Sequence, residues 1–194
     1  MSVTLFKQLY GLFKAILLLC KNNLVLEAKI LVRSFVETSA YFLFISDQNQ
    51  EERTKWYRHS IDLSQKIAVE EFNATIPTGE DRIDSTFYEN IEKEAIEYFL
   101  NKHGQDKNQN EIRSRYTLKP KDAAYQLKDD VRKIFKTIFS TFYRPVSALS
   151  HGQAPLQQTA MVDGQITLKN PTKNDEHVCL KTTCVLMYYV IDNL

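Results

Sequence analysis

Three side chains that could act on a phosphodiester stand close together in FYRPVSALSHG, residues 142–152. Arg144 and His151 are seven residues apart, about two turns of an α-helix, so they lie on nearly the same face with Ser147 between them. An imidazole exchanges a proton near neutral pH, and a guanidinium stabilises negative charge on a phosphate. The pattern indicates either an acid–base site for phosphodiester cleavage or a structural polar network at the same position.

The composition predicts an all-α protein. The 194 residues are 43% hydrophobic and include only five glycines and five prolines, and the apolar residues recur at helical spacing. We expect one domain over residues 1–194, a single helical bundle of about six helices. Within residues 153–175, TAMV and QITL flank Asp163-Gly164, which is a strong hairpin signal. A short hairpin or a loop is therefore expected before the last helix.

The charge balance and the cysteines exclude several classes of function. Lysine plus arginine (25) and aspartate plus glutamate (24) nearly cancel, so any RNA binding must be local. The glycines form neither a phosphate-binding loop nor a G-x-S-x-G turn. The four histidines lack paired Glu-x-x-His segments, and the three cysteines lack metal-finger spacing. We therefore expect no metal, no cofactor, buried thiols and a cytoplasmic location.

The second predicted helix, residues 24–45, is apolar on most of its circumference and is expected to be the central helix. Arg33 and Glu37 stand four residues apart inside it, close enough for their side chains to pair. An isolated charge among apolar neighbours would be costly. The sequence therefore predicts a buried or half-buried Arg33–Glu37 ion pair.

The first predicted helix, residues 4–20, is the most apolar opening segment, and it is interrupted by Lys7 and Lys14, with Lys21 just after it. These lysines cut the apolar runs below the roughly 20 residues that a membrane span needs. We therefore expect an amphipathic core helix and no transmembrane segment. A helix that lies on a membrane surface is the alternative.

A polar stretch over residues 105–121 predicts an exposed loop that is mobile or binds a ligand. Basic residues occur in this loop and in the helix that follows it. Those that could contact RNA phosphates are Arg113, Arg115, Lys119, Lys128, Arg132 and Lys136. A solvated face explains the same residues more simply.

The Arg144–His151 spacing resembles the signature of the HEPN superfamily, in which an arginine is followed after four to six residues by a histidine near the end of a helix. Many members of that superfamily are metal-independent ribonucleases in toxin and antiviral defence systems. Active members often carry Asn, Asp or His after the arginine, where this chain has Pro145. The segment LVRSFVET (residues 31–38), with Tyr143 and S-x-x-S-H, is also similar to uncharacterised bacterial helical proteins that have an Arg-x-x-x-Glu helix and a late Ser/His helix.

The resemblance implies an endoribonuclease whose products end in 2′,3′-cyclic phosphates. His151 would exchange protons with the ribose 2′-hydroxyl or the leaving 5′-oxygen, and Arg144 would stabilise the phosphorane. Ser147 would position the phosphate, and Glu37, with its neighbour Arg33, would orient Arg144 or His151. The resemblance also implies a homodimer and an antitoxin or another defence protein as a partner.

A non-catalytic interpretation of the sequence is the alternative to the ribonuclease hypothesis. In this reading the chain is a helical module for dimerisation or partner binding, and the Arg, Glu and His side chains form a buried structural network. The two readings differ in whether substituting His151 removes an activity or only lowers stability.

Overall fold

The structure is a computed structural model that describes residues 1–77, 82–103, 108–143, 159–162, 165–168 and 171–194. The chain forms two compact units. Unit 1 contains Met1–Gln48 and Pro120–Leu194, and unit 2 contains Asn49–Lys119. The organisation as one domain stays a prediction.

The predicted all-α class is confirmed, since helices make up most of the described chain. A π-helical turn, Phe139–Tyr143, continues the seventh helix. The helices are α1 (Ser2–Lys21), α2 (Val25–Ser46), α3 (Gln50–Thr75), α4 (Thr86–His103), α5 (Gln109–Tyr116), α6 (Pro120–Tyr125), α7 (Asp129–Ile138) and α8 (Lys173–Asp192).

Helix α2 is the centre of unit 1, as the sequence predicted. More than half of its residues are buried, and it packs against α1, α6 and α8. Aromatic rings fix the α1–α2 contact, with Phe6 and Phe42 centroids 6.3 Å apart and Phe13 and Phe35 centroids 6.5 Å apart. The burial of Phe35 and Phe42 against these rings contributes to the packing of α1 on α2.

Helix α1 is only partly the core helix that the sequence predicted. Leu5, Leu9, Ile16 and Cys20 are its buried residues, and the opposite face is exposed. Among the described helices, α1 is the one that is long and apolar enough to cross a membrane, with a mean hydropathy of 1.5 over 18 residues. Length and composition are weak grounds, because a core helix meets the same criteria.

Unit 2 is built on α3 and α4, with α5 packed against them. The predicted exposed loop over residues 105–121 is wrong for its described part, because residues 109–116 form α5. Ile112 and Tyr116 stand one helical turn apart and are buried against Leu63 and Phe99. Asn108 caps the helix by accepting a hydrogen bond from the Glu111 amide at 2.9 Å. The polar side chains of this stretch therefore cover a helix with a narrow apolar side.

Two short strands precede α8. Strand β1 (Thr159–Val162) pairs antiparallel with β2 (Gln165–Leu168), and Val162 lies opposite Gln165. These are the TAMV and QITL segments that the sequence predicted as a hairpin. Asp163 and Gly164, the predicted turn, lie outside the described residues.

The prediction that the cysteine thiols are buried is confirmed only in part. Cys20 and Cys179 are buried as expected, but Cys184 is exposed. Five residues along an α-helix rotate a side chain by about 140°, which turns Cys184 away from the face that buries Cys179.

Candidate active site

The Arg33–Glu37 pair lies on α2, at the edge of its buried face. Arg33 Nε donates to Glu37 Oε1 at 3.0 Å, and the two side chains are 22% and 28% exposed. The predicted half-buried ion pair is therefore confirmed. Neighbouring α2 residues such as Val32, Phe35 and Val36 are fully buried, so the backbone that carries the pair is held by the core. The pair combines a fixed position with access to solvent.

Tyr143 joins this pair from the end of the π-helical turn. Its hydroxyl donates to Glu37 Oε1 at 2.5 Å, and the Arg33 guanidinium lies 5.5 Å from the centroid of its ring. Phe139 packs edge-on against the Tyr143 ring, with centroids 4.9 Å apart. A half-buried cluster of three polar side chains results, which we call the Arg33–Glu37–Tyr143 cluster.

The π-helical turn is the local device that brings Tyr143 to α2. Widening a helix from α to π geometry disrupts its regular hydrogen bonds, and such turns often occur at functional sites. Here the carbonyl of Thr137 accepts hydrogen bonds from the hydroxyls of Ser140, at 2.9 Å, and Thr141, at 2.7 Å. These side-chain contacts stabilise the turn that precedes Tyr143.

The electrostatics of the cluster define the protonation states of two of its members, Tyr143 and Arg33. Burial raises the pKa of the Tyr143 phenol, and its hydrogen bond to the Glu37 carboxylate raises it further. Burial lowers the pKa of Arg33, but contacts with Glu37 and Tyr143 outweigh it, so that pKa is raised. Tyr143 is therefore a neutral hydrogen-bond donor at physiological pH, and Arg33 is a permanent cation.

The residues predicted to perform the chemistry, Arg144, Ser147 and His151, lie outside the described residues. Arg144 directly follows Tyr143 in the chain. The cluster therefore includes the residue that immediately precedes the predicted motif in the chain. Sequence spacing could not reveal this contact, because Tyr143 and Glu37 are 106 residues apart.

Unit 2 contains three of the six predicted RNA-binding residues. Arg113 donates to the carboxylates of Glu92 and Glu70, so its guanidinium already faces two acids. Lys119 is exposed, whereas the Arg115 side chain lies outside the described part of the chain. The Arg113 contacts match a structural role better than a phosphate contact.

Unit 1 contains the other three, all on or just before α7. Lys128 and Lys136 are exposed, and Arg132 pairs with Asp129 in the first turn of the helix. The Nζ atom of Lys136 lies 5.6 Å from the centroid of the Tyr125 ring, at the end of α6. Lysines beside an aromatic ring suit a single-stranded nucleic acid, which offers both phosphates and bases for stacking.

A groove of about 440 Å³ lies between α7 and α8 and contains two basic residues that the sequence did not predict as RNA-binding. Lys133 and Lys181 line it, and among the described residues no acid does. Its other lining residues are apolar or carry hydroxyls: Ile134, Thr137, Ile138, Thr141, Phe142, Val178, Thr182 and Val185. Because Thr141 and Phe142 belong to the π-helical turn, the groove lies beside the turn that carries Tyr143.

Unit 2 contains a larger groove of about 690 Å³, beside the start of α3. Its cations are already paired within the unit, Lys55 with Glu51 at 2.7 Å and Lys102 with Glu52 at 2.5 Å. Because its lysines are already paired with acids, this groove is a weaker candidate for binding an anion than the groove of unit 1. Across the described parts of both units, no three His, Cys, Asp or Glu side chains converge as a metal site would require.

The comparisons with known proteins identify a family and no further relative. A family model described as "Family of unknown function (DUF5677)" matches residues 1–158. None of the curated proteins and none of the solved structures compared with the chain matches it. The matched range contains the Arg33–Glu37–Tyr143 cluster and the predicted Arg144–His151 motif.

Proposed function

The chain belongs to the DUF5677 family of unknown function, and from its own residues we propose that it is a metal-independent endoribonuclease of the HEPN type. The proposal assigns it a role as an effector in bacterial defence or as a toxin in the cytoplasm. It would cleave RNA and leave 2′,3′-cyclic phosphate ends.

One observation carries the proposal. Tyr143, the residue before Arg144, donates a 2.5 Å hydrogen bond to Glu37, which also pairs with Arg33. The Arg-x-x-x-Glu segment of α2 and Tyr143 are similar to the same uncharacterised bacterial helical proteins, yet they lie 106 residues apart in the chain. Their direct contact supports the idea that they serve one site.

The proposed reaction is an internal transesterification of the RNA backbone. His151 takes the proton from a ribose 2′-hydroxyl, the 2′-oxygen forms a bond to phosphorus, and the bond from phosphorus to the 5′-oxygen breaks. The leaving 5′-oxygen takes a proton from water and becomes a hydroxyl, and His151 returns its proton to solvent. Arg144 stabilises the added negative charge of the phosphorane with its forked donors.

The other site residues have positioning roles in this proposal. Ser147 holds a phosphate oxygen. Glu37, fixed by Arg33 and Tyr143, orients Arg144 or His151 across the helix interface. Such preorganisation lowers the barrier because the charged groups need not rearrange during the reaction.

The α7 surface supplies the proposed path for the RNA backbone. Lys128, Arg132 and Lys136 lie on or next to this helix, and Lys133 and Lys181 line the neighbouring groove. Each phosphate contact adds affinity that falls with salt concentration. Arg113, Arg115 and Lys119 are weaker candidates for contacts to the RNA backbone. Arg113 is weaker because it already pairs with Glu92 and Glu70. We further propose a homodimer with a composite cleft, and an antitoxin or another defence protein as the partner.

The test is a cleavage assay on total tRNA and on a generic single-stranded RNA in excess EDTA. Wild-type protein is expected to cleave, and His151→Ala and Arg144→Ala are expected to be inactive at unchanged melting temperature. His177→Ala is the matched control, because His177 is an exposed histidine on α8. Loss of activity in the control, or equal activity in all four proteins, would contradict the assignment.

A second candidate is a non-catalytic helical module, and the completeness of the Arg33–Glu37–Tyr143 cluster favours it. These side chains satisfy one another without a ligand, as a structural network does. This reading predicts that Glu37→Gln and Tyr143→Phe lower the free energy of unfolding by about 1–3 kcal/mol and that no RNA is cleaved. Cleavage that both variants reduce at unchanged stability would exclude it.

A further inference from the structure

The exposed side of α1 carries large apolar residues that the bundle does not cover. Val3, Tyr10 and Leu18 are 67%, 51% and 62% exposed, and Leu17 is also exposed. At 100° per residue these four lie within about a third of the helix circumference. Together with the lysines among them, they form what we call the outer face of α1. Contiguous exposed apolar surface of this kind on a folded domain marks an interaction site.

The inner face of α1 is already occupied. Leu9 and Ile16 are fully buried, and α1 packs against α2 and α8. A membrane-spanning α1 would have to leave this packing. A partner that lies along the outer face leaves it intact.

The charges of α1 indicate which partner fits. Lys7, Lys14 and Lys21 are exposed on the outer face at seven-residue intervals, and α1 contains no Asp or Glu. The Lys14 ammonium lies 5.5 Å from the centroid of the Tyr10 ring, so cations and apolar groups are interleaved. Pairing two copies of this face would confine six ammonium groups in one interface, whereas interfaces exclude lysine from their core. An anionic partner fits better.

We propose that the outer face of α1 docks the intact bundle onto an anionic lipid surface. Lysines on such a helix extend their ammonium groups to lipid phosphates while their methylene stems lie along the apolar layer. Leu17, Leu18 and Val3 enter the boundary between headgroups and acyl chains, and the Tyr10 ring lies at the headgroup level. A helix of 20 residues lying flat offers about 30 Å of contact. This inference is independent of the proposed ribonuclease activity.

The test is flotation of the full chain with vesicles of phosphatidylcholine mixed with phosphatidylserine, compared with pure phosphatidylcholine vesicles. Wild-type protein is expected to float with the anionic vesicles only, and high salt is expected to release it. Leu18→Glu and the double variant Lys7→Glu with Lys14→Glu are expected to lower the bound fraction by at least about tenfold. Tyr188→Glu, which changes an exposed apolar residue of α8, is the matched control and is expected to bind as wild type does.

Circular dichroism melts establish that each variant is folded, since all the substituted residues are exposed. Failure of the wild-type chain to bind anionic vesicles would overturn the proposal. So would binding that Leu18→Glu leaves unchanged, or binding that Tyr188→Glu abolishes equally. A wild-type dimer in sedimentation velocity that Leu18→Glu dissociates, without any vesicle binding, would instead make the outer face an interface between copies of the chain.

Discussion

The ion pair between Lys29 and Asp175 connects α2 to α8, and its contribution to stability depends on pH. Lys29 Nζ lies 2.5 Å from Asp175 Oδ1. Asp175 Oδ2 accepts hydrogen bonds from the amide and the hydroxyl of Thr172, both at 2.8 Å, as part of a capping box that begins α8. Burial would raise the pKa of Asp175, but the contacts with Lys29 and Thr172 outweigh it and lower that pKa to about 2.

The size of the effect follows from that pKa. A fall from 3.8 to about 2 at about 1.4 kcal/mol per unit gives about 2.5 kcal/mol. The Asp175 side chain is 30% exposed, so solvent screening reduces this to about 1.5 kcal/mol. Because the pKa is lower in the folded chain than in the unfolded chain, the contribution is fully present above about pH 4 and is lost as the pH falls toward 2.

Urea unfolding of wild type and Asp175→Asn over this pH range tests the reasoning. Near neutral pH the variant is expected to be less stable by about 1.5 kcal/mol, and the difference is expected to shrink steadily as the pH falls toward 2. Lys29→Met is expected to behave in the same way, and Glu176→Gln, one residue further along α8, serves as the control without such a difference. A stability difference for Asp175→Asn that does not change with pH would refute the account.

Three further predictions concern other contacts. Arg113→Met is expected to destabilise the chain by about 2–3 kcal/mol in urea unfolding, because it leaves the Glu92 carboxylate, only 9% exposed, without its cation; an equal loss in Arg113→Lys would point to packing instead of charge. Glu37→Gln is expected to lower the pKa of Tyr143, though not to its ordinary value because burial is the larger cause, as followed by ultraviolet titration against Tyr143→Phe; an unchanged titration would contradict the 2.5 Å contact. In the native chain, a thiol reagent is expected to modify Cys184 alone, with the two buried cysteines reacting only after unfolding, and fast reaction of more than one thiol in a mass spectrum would contradict the fold.

The sequence predicted the long helices and the central position of α2, because apolar periodicity and helix-ending residues are local signals. It also predicted the Arg33–Glu37 pair, since four residues along a helix place two side chains together whatever the rest of the chain does. The hairpin strands were also predicted from a local signal, because TAMV and QITL flank the turn-forming pair Asp163-Gly164.

The features that the sequence did not predict depend on contacts between distant segments or on a weak apolar pattern. Tyr143 ends the π-helical turn and reaches Glu37, 106 residues away in the chain, and no local spacing encodes that contact. Helix α5 was missed because its apolar side is narrow and its other residues are polar. The sequence predicted an amphipathic α1 but not the large apolar residues on its exposed side, since the lysine pattern alone does not show which apolar residues are covered.

The central claim is that the protein cleaves RNA by attack of the RNA's own 2′-hydroxyl on the neighbouring phosphate. It is tested most directly by comparing an RNA with its fully 2′-O-methylated counterpart in EDTA. The account predicts that the RNA is cut to fragments ending in 2′,3′-cyclic phosphates and 5′-hydroxyls, that the methylated strand stays intact, and that His151→Ala cuts neither. Cleavage of both strands, or fragments with 5′-phosphates, would contradict the mechanism.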